Sequence, residues 1–183
     1  MSSEEFRLLA TRVGVLKRRF FPRIKPTANY TAAEQDNMRA LRMLVHAEIE
    51  HYLEVVCKKL ALDLKNEAEG LRGSISIKRL SIAAANLATS AANSNNGVKD
   101  SDIKSMFKPL GIDEADFEKI SPDFLDRMKQ FGIRRGDVAH KSAHGVSYVI
   151  TRQGEEKTIN EIISLLKVLD KELIRRRLMG FLG

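Results

Sequence analysis

The stretch Ile133 to His144, IRRGDVAHKSAH, brings Arg134, Arg135, Asp137, His140 and His144 within twelve residues. Arginine carries a planar, permanently charged fork that suits phosphate oxygens. Histidine takes up and releases a proton near neutral pH. Arg135 and His140, which frame R-G-D-V-A-H, form a minimal set for cutting RNA without a metal. The imidazole would manage the proton of the attacking 2′-hydroxyl or of the leaving 5′-oxygen, and the guanidinium would stabilise charge growing on the phosphate. RNA supplies its own nucleophile, so none is needed from the protein. The competing reading is a solvated helix start. Spacing alone does not decide between the two, because a loosely similar pair, Arg39 and His46, recurs upstream.

Residues five apart on a helix lie about 140° apart around its axis. Arg135 and His140 would therefore converge poorly in mid-helix. Gly136 favours a helix that starts at or just after it, with Arg135 in a loop or first turn. Asp137, three residues before His140, would share its face and either hold the imidazole in one tautomer or cap the helix. His144 lies four after His140, a spacing known from zinc sites. No glutamate completes a His-Glu-x-x-His motif, and Gly145 marks a stop, so no metal is expected. No phosphate-binding glycine loop, dinucleotide fingerprint, nucleophile elbow or calcium loop occurs, and no cofactor is expected.

The elements that must position these residues read as helices. Ser3 with Glu4 and Glu5 opens one over roughly 4–20, with Phe6, Leu9, Val13, Leu16 and Phe20 at helical spacing and Pro22 and Pro26 beyond it. A capping box, Thr31 with Glu34, starts an uninterrupted rod about 50 Å long at ~1.5 Å per residue. An alanine-rich helix follows in SISIKRLSIAAANLATSAAN, then a loop at SNNGVKDS. A short helix is ended by Pro109 and Gly111, and further turns lie in DEADFEKI and SPDFLDRMKQFG, the latter with Ser121 as N-cap and Pro122 at the first position. VSYVIT alternates weakly and reads as extended. A closing amphipathic helix shows a second capping box, Thr158 with Glu161. The expected fold class is all-α, an up-and-down bundle of four to five main helices with short helical insertions. It would form a single domain over 1–183, with a core bundle at 31–175 and a basic C-terminal tail at 171–183.

Two carboxylates on the rod bear on the motif. Glu48 falls inside the apolar arc between Leu44 and Tyr52, where an unpaired carboxylate is costly. Arg135 is one candidate partner and another basic residue is the alternative. Glu50 belongs to a polar stripe, Arg42, His46, Glu50, Glu54 and Lys58, of the kind that usually forms a solvated ladder. His46 and His51 read as surface or packing residues.

Composition sets the outer limits. The chain has 183 residues, 43% hydrophobic, 30% charged and 6% aromatic, with no tryptophan, so an aliphatic core is expected. The net charge of +7 favours anionic partners such as nucleic acid. The basic clusters KRRFFPRIK and KELIRRRLMG could follow an RNA backbone or simply be basic helix ends. A single cysteine, Cys57, rules out an internal disulfide and reads as buried and inert. No apolar run approaches the ~20 residues of a membrane span. The opening residues do not read as a signal peptide. A cytoplasmic protein without a membrane partner is expected.

Three features resemble the HEPN superfamily, in particular its RiboL-PSP-HEPN and MAE_28990-like branches. RRGDVAH looks like the family's Arg-x4–6-His motif, often Arg-Asn-x-x-Ala-His. LVHAEIEHYLEVV is similar to the His-Ala-x-x-Glu region on a long early helix. The order is also similar over about residues 31–175: spine helix, short insertions, late motif, closing helix. Gly136 departs from the usual asparagine. The resemblance implies a metal-independent endoribonuclease, with Arg135 and His140 catalytic and Arg134, Asp137, Glu48, Glu50 and His144 supporting. It implies RNA as substrate, a homodimer with the two motifs meeting at the interface, and 2′,3′-cyclic phosphate products. It also implies a role as a toxin or anti-phage effector, with a cognate antitoxin or nucleotidyltransferase as possible partner. The rival reading within the same family is an inactive dimerisation or RNA-binding module.

Overall fold

Thirty-nine residues without an internal glycine or proline, Ala32–Gly70, form the spine of the molecule, α2. At ~1.5 Å per residue this rod is about 58 Å long. Its start is the expected capping box: Thr31 Oγ1 accepts from Glu34 N–H at 3.3 Å, and the Glu34 carboxylate accepts from Thr31 N–H at 2.7 Å. The structure, a computed structural model, describes residues 2–71, 74–140 and 150–179, apart from the side chains of 136–140 and 178–179.

Around α2 the chain places α1 (Glu4–Phe20), α3 (Ile75–Ser94), α4 (Asp100–Phe107), α5 (Glu114–Ile120), α6 (Phe124–His140) and α7 (Arg152–Met179), with one 3-10 turn at Lys108–Leu110. The fold is an all-α bundle, and no strand occurs among the described residues. α2 touches α1, α3, α6 and α7. α1 runs antiparallel to it, since Glu5 pairs with Lys59 and Arg12 with Glu48. Ser3 caps α1, its Oγ accepting from Phe6 N–H at 3.1 Å. Ser3 N–H also donates to Asp170 on α7 at 2.9 Å, and Tyr52 donates to the same carboxylate at 3.2 Å. One buried acid thus ties together the start of α1, the spine and the closing helix.

Leu41, Val45, Ile49, Leu53 and Leu60 of α2 are fully buried. Each such side chain contributes ~1.5–3 kcal/mol of transfer free energy. The core is not purely aliphatic as composition implied. Phe107, Phe117 and Phe124 gather where the short helices meet α6, the last two stacked with centroids 5.4 Å apart. A low aromatic fraction says nothing about where the few rings go. Cys57 is buried, its Sγ 3.3 Å from the Met106 carbonyl, and burial pushes its thiol up to about 12. Gly111 ends the 3-10 turn at φ 71°, a left-handed conformation that favours glycine.

Three expectations are corrected. α6 does not begin at Gly136; it runs unbroken from Phe124 to His140. Ile133, Arg134 and Arg135 offer no capping side chain, whereas the stripe Phe124, Met128 and Phe131 anchors the helix far upstream. An internal glycine costs only ~1 kcal/mol against that. Ser121 closes α5 instead of capping α6, which starts at Phe124 after a turn through Pro122. Thr158 does not cap α7, which starts six residues earlier. Thr151 Oγ1 accepts from Gly154 N–H at 3.2 Å, and Thr158 sits within the helix donating to the Gly154 carbonyl at 3.0 Å. Most of VSYVIT lies outside the described residues. Among the described residues no helix is long and apolar enough to cross a membrane.

Candidate active site

Phe124, Met128 and Phe131 are spaced by four and three, and Arg135 continues the series by four. Residues seven apart differ by only about 20° around a helix. Arg135 therefore extends the core-facing stripe of α6 and is half-buried. Arg134, one position earlier, is exposed and donates to Thr158 Oγ1 on α7 at 3.2 Å. It lines a groove of about 540 Å³ between α6 and α7. There Arg127, Arg134 and Lys157 are balanced by Asp123, Asp126 and Glu161. The two adjacent arginines thus serve different surfaces.

Near Arg135 lies the polar stripe of α2, and its Arg42–His46 end is not a solvated ladder. Arg42 is 4% exposed and His46 2% exposed. Arg42 Nε donates to Glu155 at 3.0 and 3.1 Å across the α2–α7 contact, a buried ion pair. The His46 ring stacks on Phe131, with centroids 5.8 Å apart and planes at 14°. Its Nδ1 lies 3.5 Å from Glu50 Oε2. Arg42 and His46 are buried where α6 and α7 pack on the spine, something a single-helix pattern does not reveal, whereas Glu50, Glu54 and Lys58 are partly exposed.

The connection between α3 and α4 closes the third side. Asn95 donates to Glu54 at 3.1 Å, and Asp102 accepts from Lys99 N–H at 2.9 Å. Gly132 on α6 lies against this connection: a Cβ there would meet Lys99 Cγ at 2.9 Å and Lys99 N at 3.6 Å.

The charges here act on one another. His46 is lowered to about 4, chiefly by burial and then by the Arg135 charge; Lys99 adds to the lowering and Asp102 opposes it. His46 is therefore neutral at pH 7. Glu50 is raised, first by burial and then by Glu54, while Arg135 pulls it down and Asp102 raises it. Arg135 is thus close enough to bear on both residues, and among the described residues it makes no ion pair.

Glu48 does not meet Arg135. It accepts from Arg12 Nε at 2.8 Å on the α1 side of the spine. Of the two carboxylates, Glu50 is the one within the field of Arg135. Asp137 and His140 lie on α6, His140 as its last residue, but their side chains lie outside the described residues, and so does His144 entirely. Among the described residues no group of His, Cys, Asp and Glu could hold a metal ion. The local sequence pattern does not group His46, Asn95, Lys99 and Asp102 with the motif. For His46 a signal existed in the Arg42–His46–Glu50 spacing. For the other three the link depends on how α4 docks.

Residues 86–175 match the model of the RiboL-PSP-HEPN family. This part of the chain is similar to a HEPN-type family. The matched segment runs from within α3 to near the end of α7 and contains Lys99, Arg135 and His140. The spine with His46, Glu48 and Glu50 lies before it, so the match is shorter than the resemblance over 31–175. A HEPN-type match goes with a nuclease-like or RNA-related fold. Neither a curated protein nor a solved structure matches the chain.

Proposed function

We propose that this HEPN-type protein is a metal-independent endoribonuclease that works as a homodimer, with Arg135 and His140 as its catalytic residues. The observation that carries the reading is the position of Arg135. It is a half-buried guanidinium at the end of the α6 core stripe, acting on His46 and Glu50 and ion-paired to no described residue. A structural arginine so placed would normally be paired, as Arg42 is with Glu155. A guanidinium without an ion-pair partner among the described residues suits an incoming phosphate.

In the reaction the RNA 2′-oxygen attacks the adjacent phosphorus and the bond from phosphorus to the 5′-oxygen breaks. One imidazole accepts the 2′-hydroxyl proton and another delivers a proton to the leaving 5′-oxygen. Arg135 stabilises the charge on the phosphate oxygens. Two imidazoles require two copies of His140, which a two-fold dimer supplies. The helix also favours a second copy, because Arg135 and His140, five residues apart on continuous α6, sit about 140° apart around its axis. A cellular role as a toxin or anti-phage effector is consistent with such an activity.

The reading is tested by expressing the protein with and without Arg135→Ala. Growth inhibition with RNA degradation in the parent, relieved in the variant, is expected. RNA binding without cleavage in both would instead favour the inactive holding module.

A further inference from the structure

We infer that Lys99, at the start of α4, is a second phosphate-contacting residue of this site and seats the RNA backbone beside the phosphate held by Arg135. The inference rests on the ribonuclease reading for its substrate. Its argument is geometric. Gly132 precedes Arg135 by three residues on α6, so both lie on adjoining parts of one face. At Gly132 the missing Cβ leaves room for the Lys99 stem, whose Cγ would stand 2.9 Å from it. The Lys99 backbone is fixed there, its N–H donating to Asp102 at 2.9 Å. Lys99 is thus held beside the helix that carries Arg135, and its charge, like that of Arg135, reaches the buried His46 ring.

Lys99 is also uncommitted. It is exposed, and among the described residues its ammonium makes no ion pair. Several basic residues of the bundle are ion-paired: Lys17 with Glu156, Lys25 with Glu34, Lys59 with Glu5, Arg176 with Glu172 and Arg177 with Asp63. The basic clusters near the two ends, the obvious RNA-tracking surfaces in the sequence, are thus partly neutralised within the fold. Lys99 and Arg135 make no ion pair among the described residues. An ammonium on a flexible stem reads a phosphate as a point charge, without demanding the planar geometry of a guanidinium.

The test uses the full chain with a 2′-O-methyl RNA that cannot be cleaved, titrated over a range of salt, beside steady-state cleavage of the matching unmodified RNA. Lys99→Gln is expected to weaken binding several-fold and to reduce the slope of log affinity against log salt by about 0.7, the value for one phosphate contact on a single strand. Lys99→Arg should restore the slope. In cleavage, Lys99→Gln should raise KM more than it lowers kcat. A Lys99→Gln protein with the parental salt slope and KM overturns the inference even while the parent cleaves. A parent that binds with the full slope but cuts nothing overturns the ribonuclease reading and leaves Lys99 as an RNA contact. A parent that binds no RNA overturns the Lys99 assignment as well.

Discussion

The His46 imidazole lies nearly parallel to the Phe131 ring, 5.8 Å between centroids, and this one stack joins the spine helix to the helix carrying Arg135. It keeps a titratable ring in the core, where protonation is disfavoured by burial and by Arg135 and Lys99, with Asp102 opposing.

Stability should consequently fall in acid through this residue. The folded chain holds His46 near 4, whereas the unfolded chain protonates it near 6.5. As pH drops below 6.5 the unfolded state takes up the proton first, so stability present above 6.5 is lost between 6.5 and 4. The loss is at most about 3 kcal/mol. Urea unfolding from pH 7 to 4 should give a flatter profile for His46→Gln than for the parent. Equal slopes would show that His46 is not held neutral.

The Arg42–Glu155 pair predicts a different failure. Glu155→Ala leaves a buried guanidinium without its carboxylate and should destabilise the fold by about 3–5 kcal/mol. Replacing both residues, Arg42→Met with Glu155→Leu, should recover most of that loss. Chemical denaturation of the single and double variants reads this directly, and a double variant no better than the single would show that the cost lies elsewhere.

Glu48 and Glu50, two residues apart, should separate cleanly. Glu48 is tied to Arg12, whose side chain is 55% exposed, so Glu48→Gln should cost under about 1 kcal/mol and leave cleavage intact. Glu50 lies beside His46 and within the field of Arg135. Glu50→Gln should slow cleavage roughly tenfold and move the pH profile, as removal of a nearby charge does. Rate measurements across pH for both variants decide it, and similar effects at the two positions would contradict the placement of Glu50.

The neighbouring arginines offer the same kind of contrast. Arg134→Ala loses one exposed hydrogen bond to Thr158 and should change rate and stability little, within about 0.5 kcal/mol. Arg135→Ala should lower the cleavage rate by about 100-fold or more. Equivalent losses from both would mean that the register of the motif is misassigned.

These contrasts also mark how far the sequence is legible. Ser3, Thr31 and Glu34 announce two helix starts correctly because capping is local chemistry. Gly136 and Thr158 mislead for the same reason: each satisfies a local rule that longer-range packing overrides. In α6 the deciding signal is the spacing Phe124, Met128, Phe131 and Arg135, which only makes sense once an arginine is allowed at a core-facing position. The partner of Glu48 depends on where α1 docks, and the proximity of Lys99 depends on where α4 docks. Neither is written in the local pattern of the helix concerned.

The central claim is RNA cleavage by Arg135 and His140 without a metal. Its most direct test is to incubate the purified protein, and separately the His140→Ala protein, with end-labelled RNA in excess EDTA and to determine the chemistry of the new ends. The account predicts 2′,3′-cyclic phosphate and 5′-hydroxyl ends from the parent and at least a hundredfold less product from the variant. Cleavage that disappears in EDTA, or that persists undiminished in His140→Ala, would contradict it.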